Sequence, residues 1–268
     1  MEWLTTDLSH QDPAKQIPAH HLLMASCLLA GKILMANGSE IARVEDVILR
    51  IGRAEKIDNL QVYALLNGIT ISFPDQGLTQ MQSIPPRNQT MDMEKIVAVN
   101  DLTRQFTAHT ISLESFHDSL SQVDTTISTF PKWLQVLGAV FVSLTSMVML
   151  TKNSVPINLL LTAGASGLAY TIYLEVRNRY YMRFFGLFLA SLTISFLMLV
   201  CSKILRYPFE PDIVIIGAVM PFVPGVALTN AVREIIAGSF ISGQGRIVEA
   251  LLTALSVGLG IALLSFFY

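Results

Sequence analysis

The stretch DIVIIGAVMPFVPGVALTNAVREIIAG, residues 212–238, decides how this chain is read. It is apolar enough to enter a bilayer, yet Pro221, Pro224 and Gly225 interrupt its middle, and Asn230, Arg233 and Glu234 follow at helical spacing. Each proline lacks a backbone N–H, so the carbonyls of Gly217 and Met220 are expected to lose their usual helical partners. In hydrocarbon an orphaned backbone group costs several kcal/mol, so broken backbone at that depth lines a cavity or packs against protein. A broken helix followed by buried charge is a pattern from which transporters build binding sites.

The rest of the chain divides around that reading. Hydrophobic residues make up 52% and charged residues 14% of 268 positions, against roughly 25% charged in an average soluble protein. Residues 1–131 carry a net charge of −6 and all five histidines, whereas residues 132–268 carry +4. The expectation is an acidic α+β domain over 1–131 followed by a transmembrane helical domain over 132–268. Cys27 and Cys201 fall in different halves with no metal-ligand spacing, and read as unpaired thiols on a reducing side of the membrane. The acidic N-terminus lacks a basic n-region followed by an apolar h-region, so no cleaved signal peptide is expected.

In the first half, Pro18 to Met35 reads as an apolar helix interrupted by Lys32, too short for a confident span and better suited to a core or interface. Asn37-Gly38 gives a turn, and Ser39 is a plausible N-cap for an amphipathic helix with Ile41, Val44, Ile48 and Ile51 on one face. QVYALLN, ITISFPD and LTQMQSI are rich in β-branched and aromatic residues and are separated by turn residues, which predicts a short antiparallel sheet. Asp92 to Thr107 and Leu113 to Ile127 read as further helices.

In the second half, apolar runs over 133–151, 157–174, 184–205, 212–238 and 247–268 predict about five spans, one broken by Pro and Gly. Gly164, Ala165, Ser166 and Gly167 give the second span a small face for close packing. The loop EVRNRYYMR places Arg177, Arg179 and Arg183 together, and the positive-inside rule puts it in the cytoplasm along with the first domain. The C-terminus then lies outside if 212–238 crosses, and inside if that stretch is a re-entrant hairpin.

Spacing makes Thr229 and Arg233 one same-face pair and Asn230 and Glu234 another, with Asn230 also near Arg233. A helix restarting at about Val226 aims free N–H groups at the Pro224-Gly225 break, which favours an anion. Thr229 and Asn230 could then bind a carboxylate or hydroxyl, with Arg233 supplying charge and Glu234 accepting a proton. The competing reading places Arg233 and Glu234 at the membrane surface with their long side chains snorkelling. Asp212 is either a proton or substrate carboxylate near the outer mouth, or an acid complementing a helix N-terminus. Glu249 is read as a packed or snorkelling residue rather than a relay, and Glu114-x-x-His117 as a solvated helix face rather than half of a metal site. No phosphate loop, nucleophile elbow or zinc-protease helix is present, and no basic patch interleaved with aromatics. No cofactor, metal, nucleic-acid partner or enzymatic activity is expected.

Two long motifs bear a resemblance. ANGSEIARVEDVILRIG (36–52) and IIGAVMPFVPGVALTNAVREIIAGSFISGQGRIVEALL (215–252), together with MEKIVAVNDLTRQF (93–106), resemble the threonine/serine exporter (ThrE-like) family. With one membrane domain, the chain is similar to the larger subunit of that family's split two-component (YjjP-like) type, which works with a small YjjB-like membrane subunit. The resemblance implies secondary export of small carboxylates across the bacterial inner membrane, threonine and serine in one branch and C4-dicarboxylates such as succinate in the other. The motif residues it carries over are Asn37, Gly38, Glu40, Arg43, Glu45 and Asp46 in the first domain. In the second they are Asp212, Pro221, Pro224, Gly225, Thr229, Asn230, Arg233, Glu234 and Gly238, with Glu234 standing where the pattern usually has Asp. The first set serves either substrate contact or a salt-bridged packing face. Alternative readings for the whole chain are a membrane-anchored cytoplasmic enzyme and a ligand-sensing regulatory subunit.

Overall fold

The computed structural model describes residues 19–85, 91–126, 130–150, 156–204 and 209–265, and divides into two compact units, residues 1–128 and 129–268. The first unit runs α1 (Ala19–Ala36), α2 (Ile41–Ala54), β1 (Gln61–Leu65), β2 (Gly68–Phe73), β3 (Leu78–Ser83), α3 (Met93–Thr107) and α4 (Leu113–Thr126). Its sheet is an antiparallel meander in the order β1-β2-β3, with Tyr63 opposite Thr70 and Thr70 opposite Met81. Strict alternation on β2 sends Ile69, Ile71 and Phe73 into the core and leaves Thr70 and Ser72 on the polar face, where the Ser72 hydroxyl lies 2.8 Å from that of Thr79.

α1 is the centre of this unit. By length and hydropathy it could cross a membrane, yet 56% of its apolar window is buried within the unit. Leu23, Met24, Cys27, Ile33 and Leu34 join Ile41, Val44, Ile48 and Ile51 of α2 and the inner face of β2. Lys32, the interruption in that helix, pairs with Asp124 at 2.7 Å, and Lys95 donates to the Asp124 carbonyl at 2.9 Å. Two cations thus meet the C-terminal end of α4, where the helix dipole favours them. Glu40, not Ser39, is the N-cap of α2; Ser39 is buried as the residue that closes α1.

The second unit runs α5 (Lys132–Leu150), α6 (Pro156–Tyr180), α7 (Arg183–Ile204), α8 (Pro211–Val219), a 3-10 turn (Met220–Phe222), α9 (Gly225–Ile236) and α10 (Phe240–Ser265). α5, α6, α7 and α10 are each long and apolar enough to cross a membrane, and α8 with α9 passes the same test as a pair bent by 54°, the geometry of a broken span or of a re-entrant loop. The segment EVRNRYYMR is mostly helical rather than a loop, because α6 continues to Tyr180 and ends on Arg177 and Arg179, cations suited to a helix C-terminus. The last helix begins at Phe240, not near Ile247, so SGQGR belongs to its first turns.

Small residues set the packing distances here. A methyl group added at Gly217 of α8 would lie 3.0 Å from Met147 Cβ on α5 and 3.2 Å from Thr162 Cγ2 on α6. At Gly260 of α10 it would overlap Ser191 Oγ and lie 2.6 Å from the Phe188 carbonyl oxygen of α7. Without a hydrophobic force between helices in lipid, such close contact is a main source of association. Gly260→Ala is therefore expected to destabilise the unit by about 1–3 kcal/mol through overpacking. Gly258→Ala, where nothing lies within 4 Å, should be near neutral. Thermal unfolding of both variants in detergent reads the difference.

Candidate functional site

The break in the fourth span is built in three steps. α8 ends at Val219, and the chain tightens into the 3-10 turn, in which the Met220 N–H donates to the Gly217 carbonyl and the Val223 N–H to the Met220 carbonyl at 3.2 Å. Both carbonyls expected to be orphaned by the prolines are thereby satisfied, because the turn draws its donors from residues other than proline. Val223 is then extended and Pro224 caps α9, which begins at Gly225 rather than Val226. The Gly225 N–H bonds the Val223 carbonyl and the Leu228 N–H the Pro224 carbonyl. Among the described residues no backbone acceptor pairs with Val226 or Ala227, so the free donors of α9 are two rather than the four of residues 225–228.

Two anchors hold this break. Phe222, buried, stacks on Tyr170 at 5.9 Å and meets Tyr173 edge-on at 5.8 Å, both on α6. Upstream, buried Asn158 at the start of α6 accepts from the Glu210 N–H at 3.3 Å and sets where α8 enters. Asp212 is exposed in the first turn of α8.

Downstream, α9 shows two faces. Val226, Leu228, Thr229, Val232, Arg233 and Ile236 are exposed, while Asn230, Ala231 and Glu234 are buried. The Thr229 hydroxyl donates to its own helix, at the Gly225 and Val226 carbonyls. So the four-residue pair Thr229/Arg233 lies on the exposed face of α9 and the pair Asn230/Glu234 on its buried face.

The inward face carries a buried charge pair. Glu234 Oε1 accepts from Arg246 Nε of α10 at 2.8 Å, with side-chain exposures of 2% and 9%. Glu234 Oε2 is buried with no hydrogen-bond partner among the described residues. Arg246 reaches it because α9 and α10 form a tight helical hairpin. Gly238, at φ +88°, takes the left-handed position after α9, its N–H bonding the Ile235 carbonyl while the Ser239 N–H bonds that of Glu234. Gly243 then brings α10 so close that an added methyl would sit 2.5 Å from Ile235 Cγ1. Glu249, one turn further on, pairs with Arg183 of α7.

The first-unit motif has its own roles. Asn37 donates from Nδ2 to the Ile33 carbonyl at 2.8 Å, and Gly38 at φ +90° ends α1 with the same two backbone bonds seen at Gly238. Asp46 pairs with Arg50 on the exposed face of α2, where Arg43 is also exposed, and Glu40 is half-buried. Glu45 accepts from the Ala64 N–H on the unpaired edge of β1, and burial pushes its carboxyl above the ordinary value. It also borders a cleft of about 460 Å³ with Leu49, Leu60, Tyr63 and Thr70. His117, in the Glu114-x-x-His117 spacing, turns Nδ1 to the Ser26 hydroxyl of α1 at 3.1 Å. Cys27 is buried, which pushes its thiol up to about 12.

A polytopic helical membrane protein with one span broken at Pro-x-x-Pro-Gly and a buried charge pair behind the break is the class these features define. The chain belongs to the threonine/serine exporter (ThrE) family, whose profile matches residues 25–268. It is similar to the probable succinate transporter subunit YjjP of Escherichia coli (strain K12), 24% identical over 240 residues that cover 88% of this chain and 91% of that protein. The protein of the same name from Klebsiella aerogenes is likewise 24% identical over 240 residues, 88% of this chain and 90% of its own length. No solved structure matches the chain.

Two outcomes test the site's electrostatics. Removing one partner of a buried ion pair strands the other, so Arg246→Ala should destabilise the second unit by about 3–5 kcal/mol. The double variant Glu234→Gln/Arg246→Met should recover most of that in thermal unfolding. For Glu45 the raised carboxyl value means that the folded state holds its proton to higher pH than the unfolded state. Stability from this group therefore falls as pH rises above the ordinary 4.5. Glu45→Gln should be more stable than the parent at neutral pH and indistinguishable from it well below pH 4.5, as read by urea unfolding across pH.

Proposed function

We propose that this chain is the larger subunit of a secondary-active exporter of small carboxylates in the bacterial inner membrane, its first unit on the cytoplasmic side. The observation that carries the reading is the outward face of α9. Immediately after a break in the span it presents Thr229 and Arg233 away from the chain's own core, among Val226, Leu228 and Val232. An arginine on such a face is expensive against lipid, so it belongs against another protein or a water-filled path. A small YjjB-like membrane subunit supplies that surface, and the relatives' names as transporter subunits support a shared assembly.

The site is then a half-site. The free N–H groups of Val226 and Ala227 and the guanidinium of Arg233 favour a carboxylate, with Thr229 and the Pro224-Gly225 backbone beside it and Asn230 behind. Asp212 and Glu234 are the candidates for carrying a proton. The names of the relatives favour a C4-dicarboxylate such as succinate, and the family description favours threonine or serine. A ligand-sensing role for the first unit is the second reading, motivated by the cleft beside Glu45.

Efflux of labelled succinate, threonine and serine from vesicles containing the chain with and without its partner subunit tests the proposal. Export is expected only with both proteins present. Arg233→Ala should lower it at least tenfold at unchanged protein level, and Asn230→Ala by a smaller factor. Undiminished export in both variants would remove the α9 half-site.

A further inference from the structure

The groove between α5 and α6 lies apart from the broken span. It has a volume of about 520 Å³ and is lined by Trp133, Val136 and Leu137 of α5 and Thr171 of α6, with Lys132 at its mouth. We infer that it seats an anionic phospholipid, an acyl chain lying in the groove and the headgroup phosphate at Lys132 and Arg179.

The geometry supports this from both ends. Gly167, Thr171, Glu175 and Arg179 follow at four-residue steps along α6, a stripe that turns by about 40° per step, with Gly167, Thr171 and Glu175 meeting α5. At the Gly167 level the helices touch, an added methyl there lying 3.3 Å from Val140 Cγ2. Toward Lys132 the groove opens on the surface, and the one hydroxyl lining it, on Thr171, donates to the Gly167 carbonyl of its own helix at 2.8 Å. Such a lining offers nothing to a polar metabolite and suits hydrocarbon.

The mouth has the opposite chemistry. Trp133 is 64% exposed, and Phe130, Tyr180 and Tyr181 are exposed at the same end of the bundle, as aromatic side chains are at the headgroup level of a bilayer. Lys132 reaches Glu175 at 3.2 Å, with both side chains more than half exposed. A pair so open is weak and yields readily to a phosphate. Arg179 lies one turn beyond Glu175 on the same stripe and is exposed, and Arg177 is half-buried beside it. Against the single carboxylate of Glu175, this cluster keeps an excess of positive charge where a phosphate would sit, and basic pockets between spans take anionic headgroups on those terms.

The chain has two tryptophans, so Trp3→Phe leaves Trp133 as the sole reporter. The full-length variant is placed in phosphatidylcholine bilayers doped with phosphatidylglycerol or phosphatidylcholine brominated on the acyl chain, and Trp133 fluorescence is followed. Brominated phosphatidylglycerol is expected to quench at a several-fold lower mole fraction. Adding Lys132→Ala and Arg179→Ala should bring the two curves together, whereas Lys132→Arg should keep them apart; raising the salt concentration on the parent repeats the first test without a mutation. Coincident curves in the parent would reduce the groove to ordinary lipid contact. Quenching by neither lipid would mean that protein covers it, and a preference that survives both charge removal and salt would take the headgroup away from these residues.

Discussion

Hydrocarbon offers no hydrogen bonds, so every polar group of the second unit must find its partner within protein, and most of its local structure follows from that requirement. Hydroxyls fold back on their own helices, as Thr162 does to Asn158, Ser191 to Leu187 and Thr253 to Glu249. The broken span meets the same demand by changing helix type. A 3-10 turn closes the carbonyls that Pro221 and Pro224 would otherwise orphan. Glu234 enters the interior only with Arg246 beside it. Among the described residues the requirement is left unmet at the Val226 and Ala227 N–H groups and at Glu234 Oε2, beside the break, and also at Ser143 Oγ on α5.

Much of this was legible in the residues, and the reasons it stopped are specific. Hydropathy runs located the long apolar helices of the second unit, because such a helix is apolar along most of its length, and the β-branched runs located the three strands of the sheet. The break was visible because proline has only one way to fail as a helix donor. Its repair was not, since a 3-10 turn depends on dihedral angles that no residue type dictates. Arg246 escaped notice because it stands twelve positions after Glu234 with no helical period linking them. The available signal was Gly238, a helix-terminating glycine midway in a charged, small-residue stretch, which announces a hairpin whose two arms bring such positions together. Spacing also puts Thr229, Asn230 and Arg233 close together on α9, but a helix face says nothing about which side looks inward: Asn230 is buried, and Thr229 and Arg233 are exposed.

The family motifs are partly architecture. Gly38 and Gly238 do the same work in different units, each ending a helix in the left-handed region so that the next can start two or three residues later. Asn37 ties off α1, and Glu45 blocks the open edge of a three-stranded sheet, where an unpaired N–H invites another chain to add on. A residue that recurs in a motif because the backbone demands it is poor evidence of substrate contact.

The 54° bend has a mechanical side. Before it, α8 and Phe222 are fastened to α5 and α6 through Gly217, Asn158 and the Tyr170–Tyr173 rings. After it, α9 is clamped to α10 by Gly243 and the Glu234–Arg246 pair, and α10 to α7 by Gly260. Val223 and Pro224 are therefore a short strap between two packed seams, and α7, packed on α6 and α8 as well as on α10, ties both seams into one core. A change in the few dihedral angles there would swing the α9 N–H groups like the end of a lever only if α7 slid on α6 and α8 at the same time.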